Sequence, residues 1–244
     1  MAAIAIGFAT FLDKYARCAS FVKRVGYRAT PCNDFTLHET FIPPLRTFTQ
    51  SELPQDTLDL ARFLLGQKLV RTLPDGPAGG RIVETEAYPP GDPAAHHYRR
   101  MTGRNKSLFA SIGHAYVYRA YGVCWMLNVS SEIEGVGAGV LIRAIAPELG
   151  TAAMAARRGT APPRDVARGP GRLAAALDID RSLDGMDLCA PESPGKPLRI
   201  APDDRPRGEI GVSVRIGITR AVEAPLRFYL RGSRFLSGPA WLSP

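Results

Sequence analysis

The middle of the chain places charged side chains inside short segments that have the character of β-strands. Glu84 and Glu86 lie two positions apart within residues 81–88. The apolar run 140–145 carries Arg143 in its middle. Alternate side chains of a strand point to one face, so the two carboxylates lie on the same face, about 7 Å apart. A buried guanidinium needs an anionic partner, and Glu86 is the candidate for Arg143. The chain must therefore fold into a sheet that accommodates charge.

Two interpretations of the paired glutamates stay open. If either carboxylate is buried, desolvation and the like charge of its neighbour raise its pKa, as a general base near neutral pH requires. A solvated strand face is the plainer interpretation. The Pro-rich loop that follows leads to His96 and His97, which together with the glutamates suggest a metal site. Adjacent residues point in different directions, however, so a histidine that contacts a base or orients a carboxylate is simpler.

The next segment has the pattern of a β-hairpin. Tyr116 and Tyr118 share one face of an alternating strand, Tyr121 and the glycine after it form the predicted tip, and residues 124–129 return with Asn128 near the end. An exposed aromatic ring at a hairpin tip is unfavourable unless it inserts into another structure, such as stacked DNA bases. Packing of Tyr121 on its own hairpin is the alternative.

Local signals define the flanking elements. An N-cap candidate at Asp56 precedes apolar residues at helical spacing, and a strand, a turn and a second strand follow, which predicts an antiparallel pair. The further predicted elements are helices over 148–158 and 169–177, a Pro-rich loop over 191–209, and strands over 210–216 and 226–230.

Two basic clusters are candidate phosphate-binding sites. Arg104 and Lys106 begin a predicted short helix, and Gly171 and Arg172 lie at the start of another. An ordinary helix start is the alternative for the second cluster. The net charge of +8 and the pI near 9.6 favour a polyanionic partner. Only five of the 31 basic residues are lysines, and arginine suits phosphates, although a GC-rich genome also enriches arginine.

Composition also limits the class of protein. The four cysteines are scattered without a Cys-x-x-Cys pair, as in reduced thiols of a cytoplasmic protein. The apolar run 2–11 lacks a signal-peptide pattern and is too short to span a bilayer. We expect residues 1–50 to be an N-terminal extension of unknown role, either a DNA-steadying tail or a loose appendage, and residues 51–244 to be one catalytic domain.

With these motifs in view, the chain from Leu53 to Phe235 resembles the alkyladenine (3-methyladenine) DNA glycosylase family of the animal type. The resemblance rests on ordered motifs: 81–88 (RIVETEAY), 94–96 (AAH), 116–122 (YVYRAYG), 126–131 (MLNVSS), 141–144 (LIRA), 169–173 (GPGRL) and 225–229 (PLRFY). It implies a mixed α/β (α+β) single domain, with a curved, mainly antiparallel sheet, flanking helices and a protruding hairpin that enters the DNA minor groove.

The resemblance also implies a role for individual residues. Glu86 matches the general base, and Arg143 matches the residue that positions the water with it. The base pocket is implied to comprise Tyr88, His96, Tyr118 and Asn128, with Asn128 at its mouth, and Tyr121 matches the wedge that intercalates in the duplex. Ile216 falls where a backbone carbonyl contacts the same water.

The implied reaction is the flipping of a damaged purine from double-stranded DNA and hydrolysis of its N-glycosidic bond by a water that Glu86 activates. The family handles 3-methyladenine, 7-methylguanine, hypoxanthine and ethenoadenine, and the product is an abasic site. Lyase chemistry is not expected, because Lys106 matches no nucleophile position. We expect no metal or cofactor, no membrane partner, a monomer, and a cytoplasmic location, or a nuclear one in a eukaryote.

Two other functions are compatible with the residues. One is a non-catalytic nucleic-acid-binding module like the C-terminal domain of formyltransferases. The other is a metal-dependent hydrolase that uses the two glutamates and the two histidines. Neither explains why Glu86 and Arg143 lie inside apolar strands as simply as the glycosylase does.

Overall fold

The computed structural model describes residues 46–159, 162–189, 197–239 and 241. Most of the predicted N-terminal extension lies outside these residues, so its role stays a prediction. The described part of the chain has three α-helices: α1 (Thr57–Leu64), α2 (Thr151–Arg157) and α3 (Pro170–Ala176). It has eight strands: β1 (Lys68–Leu73), β2 (Gly76–Tyr88), β3 (Ala115–Ala120), β4 (Cys124–Ser130), β5 (Gly139–Leu149), β6 (Leu198–Ala201), β7 (Ile210–Ser213) and β8 (Arg227–Leu230).

The strands form one antiparallel sheet that curls on itself. Its order is β3-β4-β5-β2-β1-β6, and β8 pairs with β2 and with β7. The long strand β2 is central, because its first half pairs with β1 and its second half pairs with β8, while β5 runs along its other edge. The expected α+β fold with a curved antiparallel sheet and flanking helices is confirmed. Strands β3 and β4 pair as an antiparallel hairpin.

Helix α1 shows how local sequence signals become tertiary structure. The side chain of Asp56 accepts hydrogen bonds from the N–H groups of Leu58 and Asp59, as an N-cap does. The apolar residues Leu60 and Leu64 are fully buried. The hydroxyl of Thr85 donates to the carbonyl of Ala61 at 2.9 Å, so this face of β2 is fixed to the helix while the opposite face is available to the glutamates.

Four predicted boundaries are wrong for reasons of pairing. Strand β5 continues to Leu149, because it pairs with β2 as far as Gly79, and the helix predicted from 148 begins at Thr151. Strand β6 lies in the region predicted as a loop and pairs with β1. The helix predicted near Arg104 is only a 3-10 turn over Lys106–Phe109. Strand β7 ends at Ser213, so Val214, Arg215 and Ile216, which were predicted to continue it, lie outside the sheet.

The register of β2 against β5 is irregular where the glutamates lie. Register shifts occur on either side of Glu84, between Ile82 and Glu84 and between Glu84 and Thr85. Such β-bulges re-aim side chains and are common beside active sites. Both Glu84 and Glu86 point into the closed side of the curled sheet.

Candidate active site

The floor of the site is a buried cluster of charges. Glu84 and Glu86 are both fully buried, and Arg143 of the neighbouring strand β5 is 5% exposed. The Nε of Arg143 donates to Oε1 of Glu84 at 2.8 Å, and its Nη1 lies 3.0 Å from Oε1 of Glu86. The solvated strand face is therefore wrong, and Arg143 joins both carboxylates instead of Glu86 alone.

Glu84 is held by a second guanidinium that the sequence analysis did not identify. The Nε of Arg227, on β8, donates to Oε1 of Glu84 at 2.8 Å, and Ser237 donates to the same carboxylate through its backbone N–H and its hydroxyl. Burial alone would raise the pKa of Glu84, but the charges of Arg143 and Arg227 outweigh it and leave the pKa below its usual value. The raised pKa expected for a buried member of the pair is therefore wrong for Glu84.

Glu86 has a different set of donors. The backbone N–H of Ile216 donates to Oε1 at 2.7 Å, and the hydroxyl of Tyr88 donates to Oε2 at 3.0 Å. The contact made by Ile216 is thus its N–H to the carboxylate; a contact of its carbonyl with a water stays a prediction. Arg143, Ile216 and Tyr88 all line the adjacent cavity, so Glu86 lies behind the side chains that form its wall.

The cavity beside Glu86 has a volume of about 300 Å³, at the lower end of the range for small-molecule sites. Strand β2, strands β3 and β4 of the hairpin, the loop after β2 and the segment after β7 all contribute to it. Its lining includes Tyr88, His96, Tyr118, Met126, Asn128 and Ile216. Residues predicted separately from distant motifs therefore surround one space.

Aromatic rings form much of the cavity wall. The rings of Tyr116 and Tyr118 stack with centroids 5.3 Å apart, and His96 contacts Tyr118 edge-to-face at 4.3 Å. The Nδ1 of His96 is hydrogen-bonded to the hydroxyl of Tyr116 at 3.0 Å. Burial, and then the charge of Arg104, lower the pKa of His96, while burial raises the pKa of Tyr118 to about 12. The imidazole and the phenols are therefore neutral at pH 7 and present hydrogen-bonding groups without charge.

The two adjacent histidines have different surroundings. His97 is buried, and its Nε2 donates to the carbonyl of Pro89 at 3.0 Å, so it fixes the loop to the end of β2. His96 is the imidazole that contacts the tyrosine rings. Both histidines line the cavity.

Tyr88 is supported from behind by another unpredicted residue, Arg215. Its guanidinium carbon lies 4.7 Å from the centre of the Tyr88 ring, and it donates to the carbonyl of Ala87 at 3.1 Å. It also forms a buried ion pair with Asp92 of the loop that carries His96. Arg215 and Arg227 each lie between apolar residues, which is the signal that identified Arg143 and could have found them.

The tip of the β3–β4 hairpin is exposed to solvent. Residues 121–123 connect β3 to β4. Tyr121 is 89% exposed, so it does not pack on its own hairpin. Tyr121 has φ +51°, a left-handed conformation that is unfavourable for a residue with a Cβ. Asn128 is buried below, at the cavity, and its amide donates to the carbonyl of Tyr116 at 3.3 Å.

The four predicted phosphate-binding residues lie apart from the cavity lining. A Cβ at Gly171 would approach Sγ of Cys124 to 2.9 Å, so this glycine permits α3 to pack against the hairpin. Arg172 lies 3.8 Å from Asp165. These contacts favour an ordinary helix start at Gly171. Arg104 and Lys106 are exposed, and Arg104 borders a second pocket beside His96.

Among the described residues there is no group of three or more His, Cys, Asp and Glu side chains that could hold a metal ion. Over the same part of the chain, no helix has the length and apolar character needed to cross a membrane.

Residues 51–234 match the family model of methylpurine-DNA glycosylase (MPG). The chain belongs to the methylpurine-DNA glycosylase family. The matched region begins before α1 and ends after β8, so it contains the elements that build the cavity. Ser237, which donates to Glu84, lies just beyond it.

Curated relatives support this membership. A protein of Mesorhizobium japonicum named "Putative 3-methyladenine DNA glycosylase" is 59% identical over 197 residues, 81% of this chain and 91% of that protein. Proteins with the same name are 48% identical in Paraburkholderia phytofirmans, over 80% of this chain and 90% of that protein, and 46% identical in Methanoculleus marisnigri, over 75% and 94%.

Proposed function

We propose that this member of the methylpurine-DNA glycosylase family is an enzyme that rotates a damaged purine nucleotide out of double-stranded DNA and hydrolyses its N-glycosidic bond. The observation that carries the proposal is Glu86, a fully buried carboxylate with three donors, beside a cavity walled by aromatic rings. A binding module would have no need of a buried carboxylate beside its cavity, since binding a base requires no general base.

Base binding follows from the rings. A duplex hides the glycosidic bond, so the nucleotide must leave the stack, at an energy of a few kcal/mol that is smallest for a damaged or mispaired base. Stacking on Tyr88 or Tyr118 recovers about 1 to 3 kcal/mol. Cationic purines such as 3-methyladenine and 7-methylguanine gain more from the faces of the rings. Tyr88 is already held in place by Arg215 and by its hydroxyl bond to Glu86.

The chemical step uses the floor of the site. A water bound between Glu86 and the flipped nucleotide transfers a proton to the carboxylate as its oxygen bonds to C1′. The C1′–N9 bond breaks at the same time, and its electron pair leaves with the base. The carboxylate also stabilises positive charge on the sugar. Arg143 fixes the carboxylate, and its own charge is balanced by Glu84.

The remaining predicted residues act on the duplex. The exposed ring of Tyr121 enters the gap that the flipped nucleotide leaves, as intercalating side chains do at unstacked base steps. Asn128 lines the cavity. Its side-chain amide excludes bases whose exocyclic groups do not fit beside it. The neutral His96 contacts the base or its sugar.

A single-turnover assay tests the proposal. Duplexes that carry hypoxanthine, ethenoadenine or 7-methylguanine are incubated with the wild type and with Glu86→Gln in EDTA, and free base is measured. We expect release by the wild type, and release at least about 100-fold slower by the variant with DNA binding retained. If folded wild type binds DNA but releases no base from any lesion, the chain is a binding module; if EDTA abolishes release, the reaction depends on a metal.

A further inference from the structure

A second pocket adjoins the base cavity. It has a volume of about 420 Å³ and shares His96 and Tyr116 with the first. Four arginines border it: Arg99, Arg100, Arg104 and Arg220. No carboxylate belongs to its lining among the described residues, whereas arginines elsewhere in the fold, such as Arg157, are paired with aspartate or glutamate.

The loop that carries three of these arginines, Arg99, Arg100 and Arg104, is built around one buried amide. Asn105 is 3% exposed. Its Nδ2 donates to the carbonyls of His96 and Arg100 at 2.8 and 3.1 Å, and its Oδ1 accepts from the N–H and the hydroxyl of Thr102 at 2.6 and 2.9 Å. Both donors and both lone pairs of the amide are thus used inside the loop, which fixes its course before any ligand binds.

Like charges around one concave surface repel each other unless an anion binds between them. The positive charge of the pocket also acts on His96 in the wall shared with the base cavity. Burial lowers the pKa of His96 most, and the charge of Arg104 lowers it further. Guanidinium groups bind phosphate oxygens in a bidentate geometry. The pocket therefore has the charge, the donors and the fixed loop of a phosphate site.

We propose that this arginine pocket binds a backbone phosphodiester of the damaged strand next to the flipped nucleotide. The inference rests on the proposed function, which places the base in the first cavity. The backbone of that nucleotide leaves through the cavity mouth, and the arginine pocket adjoins it at His96. Base and phosphate then lie on the two sides of His96, and the pocket sets the register of the damaged strand.

Binding measured without base release tests the proposal separately from the chemistry. The protein is titrated with a duplex that carries a tetrahydrofuran abasic analogue, over a series of salt concentrations. Arg100→Gln and Arg220→Gln each remove one charge, from two different loops that border the pocket. Each is expected to weaken binding about tenfold and to reduce the slope of log K against log salt by about one. Arg207→Gln, an exposed arginine outside both pockets, is the matched control.

A scan of the DNA backbone identifies the partner of the arginines. Each phosphate that flanks the abasic analogue is replaced in turn by a neutral methylphosphonate. We expect one or two adjacent positions on the damaged strand to weaken wild-type binding about tenfold and to have little further effect on Arg100→Gln or Arg220→Gln. The proposal would be overturned if every methylphosphonate weakened the binding of the wild type and of the variants equally. It would also be overturned if Arg100→Gln and Arg220→Gln lost no more DNA affinity than Arg207→Gln.

Inorganic phosphate is the other source of the same chemistry. It is titrated at constant ionic strength. If it competes with DNA through Arg100 and Arg220 while the scan shows no preferred position, the pocket binds free phosphate and the proposal is wrong. Base release from lesion duplexes, measured independently, shows whether a failure belongs to the pocket or to the proposed glycosylase reaction.

Discussion

Glu84 and Glu86 lie two residues apart on one strand, are equally buried and share Arg143, yet their surroundings differ. Glu84 accepts from two guanidiniums and from both donors of Ser237. Glu86 accepts from one guanidinium, one backbone N–H and one phenol, beside a cavity. Burial alone therefore does not define a general base. The proposed general base, Glu86, differs from Glu84 in having fewer guanidinium donors and in having two donors, Ile216 and Tyr88, that line the cavity.

The largest effect expected from this difference is on stability. Glu84→Gln leaves Arg143 and Arg227 buried with one carboxylate fewer, so the free energy of unfolding should fall by about 3 to 5 kcal/mol. Glu86→Gln should lower it by less than half as much, because Arg143 keeps Glu84. Urea unfolding of the two variants and the wild type measures both. Equal losses would show that the two carboxylates are equivalent in the fold.

The two arginines sharpen the comparison. Arg143→Met removes a contact to each carboxylate and should slow base release about 100-fold, in addition to destabilising the fold. Arg227→Met removes a donor to Glu84 and Ser213 and should act mainly on stability. Rates are compared per folded molecule at a temperature where both variants are native. A larger loss of rate in Arg227→Met would mean that Glu84 takes part in the reaction.

Substitutions of Tyr121 at the hairpin tip test a contribution to base release that does not depend on the buried charges of the site. Tyr121→Ala should slow base release from duplex DNA about tenfold, by loss of stacking, with no loss of stability because the residue is 89% exposed. Tyr121→Gly should raise the free energy of unfolding by up to about 1 kcal/mol, since φ is +51°. A single-stranded substrate, which has no gap to fill, is the control. Equal slowing on single strands would contradict the wedge.

The smallest effect expected is the dependence of stability on pH. The pKa of His96 is lowered by burial, so the unfolded chain binds more protons below about pH 6.5 and stability falls as the pH falls through that value. His97, whose pKa burial also lowers, acts in the same direction. Glu84, with its lowered pKa, contributes stability that is lost only below about pH 4.5.

Midpoints of urea unfolding, measured across this pH range, check both losses of stability: the upper step from the histidines at about pH 6.5 and the lower step from Glu84 below about pH 4.5. His96→Gln should reduce the upper step and leave the lower one. An upper step of the wrong sign, with stability rising on acidification, would show that His96 gains an anionic partner in the folded protein.

Much of the fold could be predicted because its signals are local. The N-cap of α1, the antiparallel pair β1–β2 and the hairpin from Tyr116 to Asn128 depend on residues that are close in the chain. Strand β6 and the end of β5 could not be predicted. Prolines flank β6 and interrupt the end of β5, and both segments are defined by hydrogen bonds to a strand far away in sequence.

The candidate site divides in the same way. The sequence by itself determined that Glu86 and Arg143 need partners, because a charged residue in an apolar strand must be compensated wherever it lies. Only the tertiary structure decided the partners. Glu84 and Ser237 are 153 residues apart, and Arg227 reaches the floor because β8 pairs with β2. Compensation of buried charges depends on which residues are close in space. The pairing of distant strands that closes the sheet therefore distinguishes Glu84 from Glu86, and no local pattern does.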